Sequence, residues 1–279
     1  MEQLRSEHDV HLLCELLRIN RSSFYYDAVE QIDDGARAAI VSIAEQFPIY
    51  GYRMITEELK RRTFTVNSKR VRRLMHEENL VIAVRRYVTT STCARDRRDW
   101  PNLLKNKPIT KLNEAWAADI TYVELGGELV YLAVIIDLFS RGIRGWHLGS
   151  DLSSELTHRA LDRALAKHGA PKIHHSDHGV QYVSEGYLEK LAHHGIAVSC
   201  SAKGKPTQNG ICERFIRTLR ESEVRLQDYE DLADARRKIG KFLEDVYMTK
   251  RLHSSLGYVT PAEFEASCRV KTTRKARGG

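Results

Sequence analysis

The chain has 279 residues, room for two modules at about 150 residues per domain and for a sizeable core. Lysine and arginine outnumber aspartate and glutamate by 44 to 37, a net charge of +7 that favours a polyanionic partner over an acidic protein surface. Cys14, Cys93, Cys200, Cys212 and Cys268 offer neither a paired zinc spacing nor a disulfide framework, Met1 to Val10 is charged, and no apolar run nears the ~18 residues that cross a bilayer. A soluble, unprocessed protein of a reducing cytosol is expected, with no membrane partner.

From His8 to Leu17 the apolar residues Val10, Leu13, Cys14 and Leu17 recur at helical spacing, and Arg21 to Tyr26 can start another helix after the break at Arg18-Ile19-Asn20. A second pair follows. Tyr52 to Arg62 is helical, Thr63 to Val66 is β-prone, and Asn67 caps a helix through Asn79 with Val71, Leu74 and Met75 inward. Lys69, Arg70, Arg72 and Arg73 point outward. Between Gly51 and Arg86 ten basic residues face four glutamates. One basic helix face is usually just solvated, but two successive helix pairs, the second strongly basic, favour contact with a DNA backbone. Residues 1–87 are therefore read as a helix-turn-helix DNA-binding region. Residues 88–111, rich in Thr, Arg, Asp, Asn and Lys with Pro101 and Pro108, are read as a linker.

The composition then changes. Ala115 to Leu125 and Glu128 to Phe139 are strand-like runs joined at Gly126-Gly127, which suits a hairpin turn, and Ile143 to Leu148 makes a third strand. Ser153 caps a helix through Lys167 that Gly169 ends. Lys172 to Ser176 is a fourth strand, Glu185 to His194 a helix, and Ile196 to Cys200 a fifth strand. This order implies an α/β, ribonuclease-H-like mixed five-stranded sheet with flanking helices over residues 112–266. A loop from Ser201 to Gln208, carrying Lys203 and Lys205, leads into a helix from about Asn209. Leu232 to Tyr247 is a further amphipathic helix, with Ile239, Phe242, Leu243 and Val246 on one side. Residues 267–279, basic and poor in apolar side chains, are expected to be disordered.

Three carboxylates in this frame carry chemistry. Asp119 lies in the first strand, Asp177 just after the fourth, and Glu213 early in the following helix, with thirty-five residues between it and Asp177. In such a sheet the first and fourth strands adjoin, so the aspartates meet and Glu213 arrives from the helix. A carboxylate buried beside Ala117, Ala118 and Ile120 needs a partner, and clustered carboxylates repel; a shared divalent cation is the usual reason for such a group. Two such cations can activate a water or 3′ hydroxyl on one side of a phosphate and stabilise the leaving oxygen on the other. Magnesium fits, with manganese as an alternative ion. Glu213, Arg217 and Arg220 share one helix face at i, i+4 and i+7, and Cys212, Phe215 and Leu219 take the other, so Arg217 and Arg220 are DNA-binding candidates. Asp137 is assigned to an ion pair with Arg141. His174 and His175 alternate to opposite faces of their strand and are not read as a metal site; His178 is placed beside the scissile phosphate.

The strings WAADITYVE (Trp116 to Glu124), YLAVIIDLFSRGIRGW (Tyr131 to Trp146), HSDHGVQY (His175 to Tyr182), NGICERFIRTLRES (Asn209 to Ser222) and RLHSSLGYVTPAEF (Arg251 to Phe264) resemble the retroviral-integrase-like core of bacterial insertion-sequence transposases. Upstream, YGYRMITEEL and VNSKRVRRLM resemble the helix-turn-helix region preceding that core in the subgroup whose transposase is made from two overlapping reading frames. The resemblance implies that Asp119, Asp177 and Glu213 form the catalytic, metal-binding triad, with Arg220 the basic residue seven places on. It implies nicking at the element's ends and strand transfer by the freed 3′ hydroxyl, with magnesium and without zinc. Double-stranded DNA is the implied substrate, as element ends and target. A homo-multimer, an upstream-frame protein supplied as a fusion, and a nucleoid-associated place in the bacterial cytoplasm are also implied. Lys203, Lys205, Arg251 and His253 join the DNA-binding candidates. The chain departs from the common family pattern at Gln208, where Asp is frequent, and at Met248 and Leu252, where Asn and Pro are frequent. A stand-alone ribonuclease-H-type nuclease is a rival reading, disfavoured by the N-terminal module and by Arg217 and Arg220. A non-catalytic helix-turn-helix regulator is another, disfavoured by the intact carboxylate set.

Overall fold

A computed structural model describes residues 9–25, 33–80, 100–177, 179–202 and 206–277. The chain divides into two compact units, Met1–Ala39 and Ile40–Gly279. In the first, Asp9 caps helix α1 (Val10–Leu16) by accepting the His11 N–H at 3.0 Å, Leu13 and Cys14 are buried, and the short helix α2 (Arg21–Phe24) follows.

Helix α3 (Asp34–Gln46) has no counterpart among the expected helices, although Ala36, Ile40, Ile43 and Phe47 form a helical stripe and are all buried. Helix α4 (Tyr52–Arg61) buries Ile55 and Leu59 and packs on α5 (Ser68–Glu77), which buries Val71, Leu74 and Met75. Asn67 caps α5 as expected, its side chain accepting the Arg70 N–H at 2.8 Å. The β-prone run from Thr63 to Val66 forms no strand: Thr63 turns at φ 68 and the Phe64 N–H closes back on the Leu59 carbonyl at 3.0 Å. This helical part is latched to the C-terminal segment. The Leu252 N–H donates to the Tyr50 hydroxyl at 2.6 Å, the Arg251 guanidinium lies 5.2 Å over the Tyr50 ring, and Arg61 makes two bonds to Glu263 at 2.6 and 3.1 Å.

The sheet has the order β3-β2-β1-β4-β5. Strands β1 (Ala115–Leu125), β2 (Glu128–Asp137) and β3 (Ile143–Gly149) are antiparallel neighbours, and β4 (Ile173–Ser176) and β5 (Ala197–Cys200) extend the sheet parallel to β1. Gly126 and Gly127, at φ 59 and 88, make the tight β1–β2 turn. Alternate side chains build two cores. Ala117, Val123, Leu132 and Val134 pack with Cys212, Phe215 and Leu219 of α8 (Gly210–Leu219) and Ile239 of α9 (Leu232–Lys241). On the opposite face Trp116, Ala118, Ala133 and Ile135 pack with α6 (Ser154–His168) and α7 (Glu185–His193) through Leu156, Ala160, Leu161, Tyr187 and Leu191.

Both sheet edges are covered. Along β3 the Trp146 and Leu148 carbonyls accept from Arg163 and Arg236 at 2.9 and 3.0 Å. Along β5 the Cys200 N–H donates to the Pro101 carbonyl at 3.2 Å and the Ser199 hydroxyl accepts the Leu103 N–H at 2.9 Å. Residues 100–111, expected as linker, therefore belong to the core, with Leu103, Leu104 and Ile109 packed against it; residues 88–99 lie outside the described residues.

The chain end corrects two further expectations. Helix α9 continues as π-helical turns over Phe242–Lys250, so Tyr247, five residues after Phe242, takes the buried place expected for Val246. Residues 267–277 continue helix α10 (Pro261–Arg277) rather than being disordered, while 278–279 lie outside the described residues. A capping box starts this helix: Thr260 N–H donates to Glu263 at 2.9 Å, Glu263 N–H donates to the Thr260 hydroxyl at 3.2 Å, and Pro261 takes the first helical position. Glu265 then anchors it, accepting from Arg144 at 2.8 Å and from the Ser140 hydroxyl at 2.7 Å. Arg144 also lies 3.4 Å from Asp137, so Asp137 pairs with Arg144 and not with Arg141, whose guanidinium donates to the Leu138 carbonyl.

Candidate active site

Parallel pairing sets Ala117 of β1 opposite His175 of β4, so two residues further along each strand Asp119 and Asp177 come level. Helix α8 starts against the same stretch of β1. The Asn209 side-chain amide donates to the Ala118 carbonyl at 3.3 Å, and the Cys212 thiol lies 4.0 Å from the Ala117 carbonyl. Glu213 is the next residue.

The electrostatics report the convergence. The half-buried Asp119 carboxyl is pushed up to about 7, first by burial and then by the charge of Asp177, with Glu213 adding to the push; the Ile120 N–H, donating to Asp119 at 2.8 Å, and Arg220 oppose it. Burial and then Asp119, Asp177 and Glu213 together drive the Cys212 thiol well up, so all three carboxylates act on one buried atom. Glu213 is itself raised by burial, offset by Arg217. Asp177 accepts the Gly179 N–H at 2.9 Å; a Cβ at position 179 would stand 2.9 Å from the same carboxylate oxygen, which is why the position suits glycine.

Among the described residues no group of three or more His, Cys, Asp or Glu is drawn together tightly enough to hold a metal ion. The donor set nevertheless suits a hard cation. It consists of carboxylate oxygens whose mutual repulsion a cation would relieve, and the one neighbouring soft donor, Cys212, is buried and kept protonated.

The expected basic stripe on α8 splits. Arg220 opens a π-helical turn (Arg220–Val224) and turns back to β1: its Nε donates to the Thr121 hydroxyl at 3.0 Å and its guanidinium lies 4.6 Å from the Tyr122 ring centre. Arg217 instead lines a cleft of about 1830 Å³ between α8 and the α4–α5 pair. Lys69, Arg72 and Arg73 line it from the other side, and Arg251 lines it while half-buried; Arg70 is not among its lining residues. His253 lines it as a neutral ring. Burial, with Arg251 and Arg141 nearby, pushes it down to about 3, so it adds no charge to the cleft. His174, bonded to the Tyr187 hydroxyl, and His175, between the Ser199 and Ser201 hydroxyls, point to opposite faces and are held down to about 3 and about 4 by burial. Lys203, Lys205 and His178 lie outside the described residues.

Two residues at the site escape sequence reasoning. Tyr182 is buried, its hydroxyl has no partner among the described residues, and Asp119 and Asp177 add to the burial that pushes it upward. Its signal was the spacing of five from Asp177. Arg214, exposed beside Glu213, faces the cleft.

Residues 110–206 and 194–261 match two models described as integrase core domain, and residues 31–87 match an HTH-like domain. The chain is 36% identical over 220 residues to the transposase for insertion sequence element IS904 of Lactococcus lactis, covering 77% of this chain and 87% of that protein. It is 28% identical over 278 residues to the transposase InsF for insertion sequence IS3A of Escherichia coli, covering 95% and 96%. Among solved structures it is similar to the HTLV-2 integrase catalytic core domain in complex with magnesium, at 20% identity and TM-score 0.44, over 55% of this chain and 96% of that one.

Proposed function

This chain belongs to the bacterial insertion-sequence transposases that carry an integrase core domain, and on that premise we propose that Asp119, Asp177 and Glu213 are its catalytic carboxylates. The observation that carries the assignment is the Asp119 carboxyl pushed up to about 7 by burial and by its two acidic neighbours. Such a group is poised for a cation to take the place of its proton.

In this reading Asp119, Asp177 and Glu213 hold magnesium, with manganese as an alternative. When bound, the metal supplies Lewis-acid activation of the attacking oxygen and charge stabilisation of the leaving one. The chain's own residues set the geometry. The Ile120 and Gly179 N–H groups each fix one oxygen of Asp119 and Asp177 and so orient the two carboxylates. Arg220, braced by Thr121 and Tyr122, holds a positive charge beside the aspartates, where it can meet a scissile phosphate. The reaction is nicking at the element's ends and transfer of the freed 3′ hydroxyl to a phosphodiester. The substrates are the element ends and a double-stranded target. Two ends must be held together, so the working form is a multimer, with an upstream-frame protein supplied as a fusion. No helix among the described residues is long and apolar enough to cross a membrane.

The test is Glu213→Gln. With oligonucleotides carrying the element ends and magnesium, cleavage and joining should be lost while DNA binding persists. Joining that survives the substitution would remove Glu213 from the assignment.

A further inference from the structure

Helix α8 presents two functional flanks. At about 100° per residue, Gly210, Arg214, Arg217 and Glu221 look into the cleft, and Glu213 falls beside Arg217 on the flank toward β1. Facing them across the cleft are Lys69, Arg72 and Arg73 of α5. Arg225, Arg141 and Arg251 bring the lining to eight Lys and Arg against Glu77 and Glu221, and Glu77 is tied to Arg73 at 2.8 Å. Cations on both walls of a concave surface reinforce one another's potential and call for a polyanion between them. The lining also holds Ile49, Met54, Ile211 and Leu226, the last 52% exposed. Phosphates alone would leave that apolar surface wet, whereas the bases of an unpaired strand can cover it.

We propose that the cleft holds one unpaired DNA strand leading to Glu213, its phosphates gripped by α5 on one side and α8 on the other. The proposal rests on the reading of Glu213 as catalytic only for the direction in which the strand leads. The Tyr50–Leu252 and Arg61–Glu263 bonds, which fix α4 to the C-terminal segment, set the spacing of the two walls. The α4–α5 pair is then a wall of the substrate channel.

The test is fluorescence anisotropy of the full chain, without divalent metal, on a single strand of about 15 nucleotides and on the matching blunt duplex. Arg72→Glu and Arg214→Glu change exposed residues on opposite walls, so if one fails to fold the other still reads the cleft. Each should lower the salt slope for the single strand by about 0.7, which at about 0.1 M salt is about a fivefold loss of affinity. The duplex should lose less. Unchanged single-strand binding in the folded variants overturns the proposal, as does an equal or larger loss for the duplex, which would put paired DNA on this surface. Glu213→Gln separates the two readings: it should leave single-strand binding intact, and its loss of joining tests the catalytic assignment alone.

Discussion

Removing a proposed catalytic carboxylate should make the metal-free protein more stable. Asp119 has an ordinary value of 3.8 and sits at about 7 in the fold, chiefly through burial and then through Asp177. For an acid raised on folding, the folded state holds the proton more tightly, so stability is fullest below the unfolded value and falls as pH rises from about 4 to about 7. Three units correspond to about 4 kcal/mol, and because the side chain keeps some solvent contact we expect about 2–4 kcal/mol at pH 8. Asn at position 119 keeps an oxygen for the Ile120 N–H and cannot ionise. In chelator, thermal unfolding followed by circular dichroism should therefore show Asp119→Asn melting roughly 5–15 °C above the unsubstituted protein at pH 8, with the gap closing toward pH 4. Glu223, also raised to about 7, mainly by burial, gives both proteins the same slope, so the difference isolates position 119. Magnesium should stabilise the unsubstituted protein and do less for the variant. Melting curves that stay parallel from pH 4 to 8 would refute the reasoning, because the upward shift attributed to burial and to Asp177 would then be absent.

Other expectations are simpler to measure. His147, His168, His174, His175 and His253 are all held at about 3 to 4, first by burial, so each favours unfolding when protonated; denaturant titrations should show stability dropping as pH falls from about 6.5 toward 4. Tyr50→Phe removes the acceptor of the buried Leu252 N–H and should cost about 1–3 kcal/mol in urea unfolding; no loss would mean that water or another group satisfies the amide. Arg144→Ala strands Asp137 and Glu265, both almost fully buried, and should cost about 3–5 kcal/mol, seen as a lower melting temperature and increased proteolysis.

The sheet is legible because its central strands are continuous apolar runs and its turns carry Gly126-Gly127, Gly169 and Gly195, each at positive φ. Strand order then brought Asp119 level with Asp177, a long-range fact reached through topology. Helix α3 is hard to read because Ala38, Ala39 and Ala44 lie off its buried stripe and blur the contrast between its faces. The capping box Thr260-Pro261-Ala262-Glu263 marks a helix start in the sequence, yet the basic composition beyond it reads as disorder. Partners in space were beyond reach. Nothing in the sequence pairs Asp137 with Arg144 rather than Arg141, because Arg144 is held by partners distant in sequence, Asn113 and Glu265. The departure at Leu252 also gains a reason from structure: a proline there would have no N–H for Tyr50.

The two arginines along β3 restrict how copies of this protein can meet. An open strand edge invites a neighbour to extend the sheet, and a basic, concentrated DNA-bound protein would be exposed to uncontrolled growth of that kind. Arg163 and Arg236 occupy the outward carbonyls of Trp146 and Leu148, while the segment around Pro101 occupies the far edge at β5. On the multimeric reading proposed above, contacts between copies would then fall on helices and loops instead of extending the sheet.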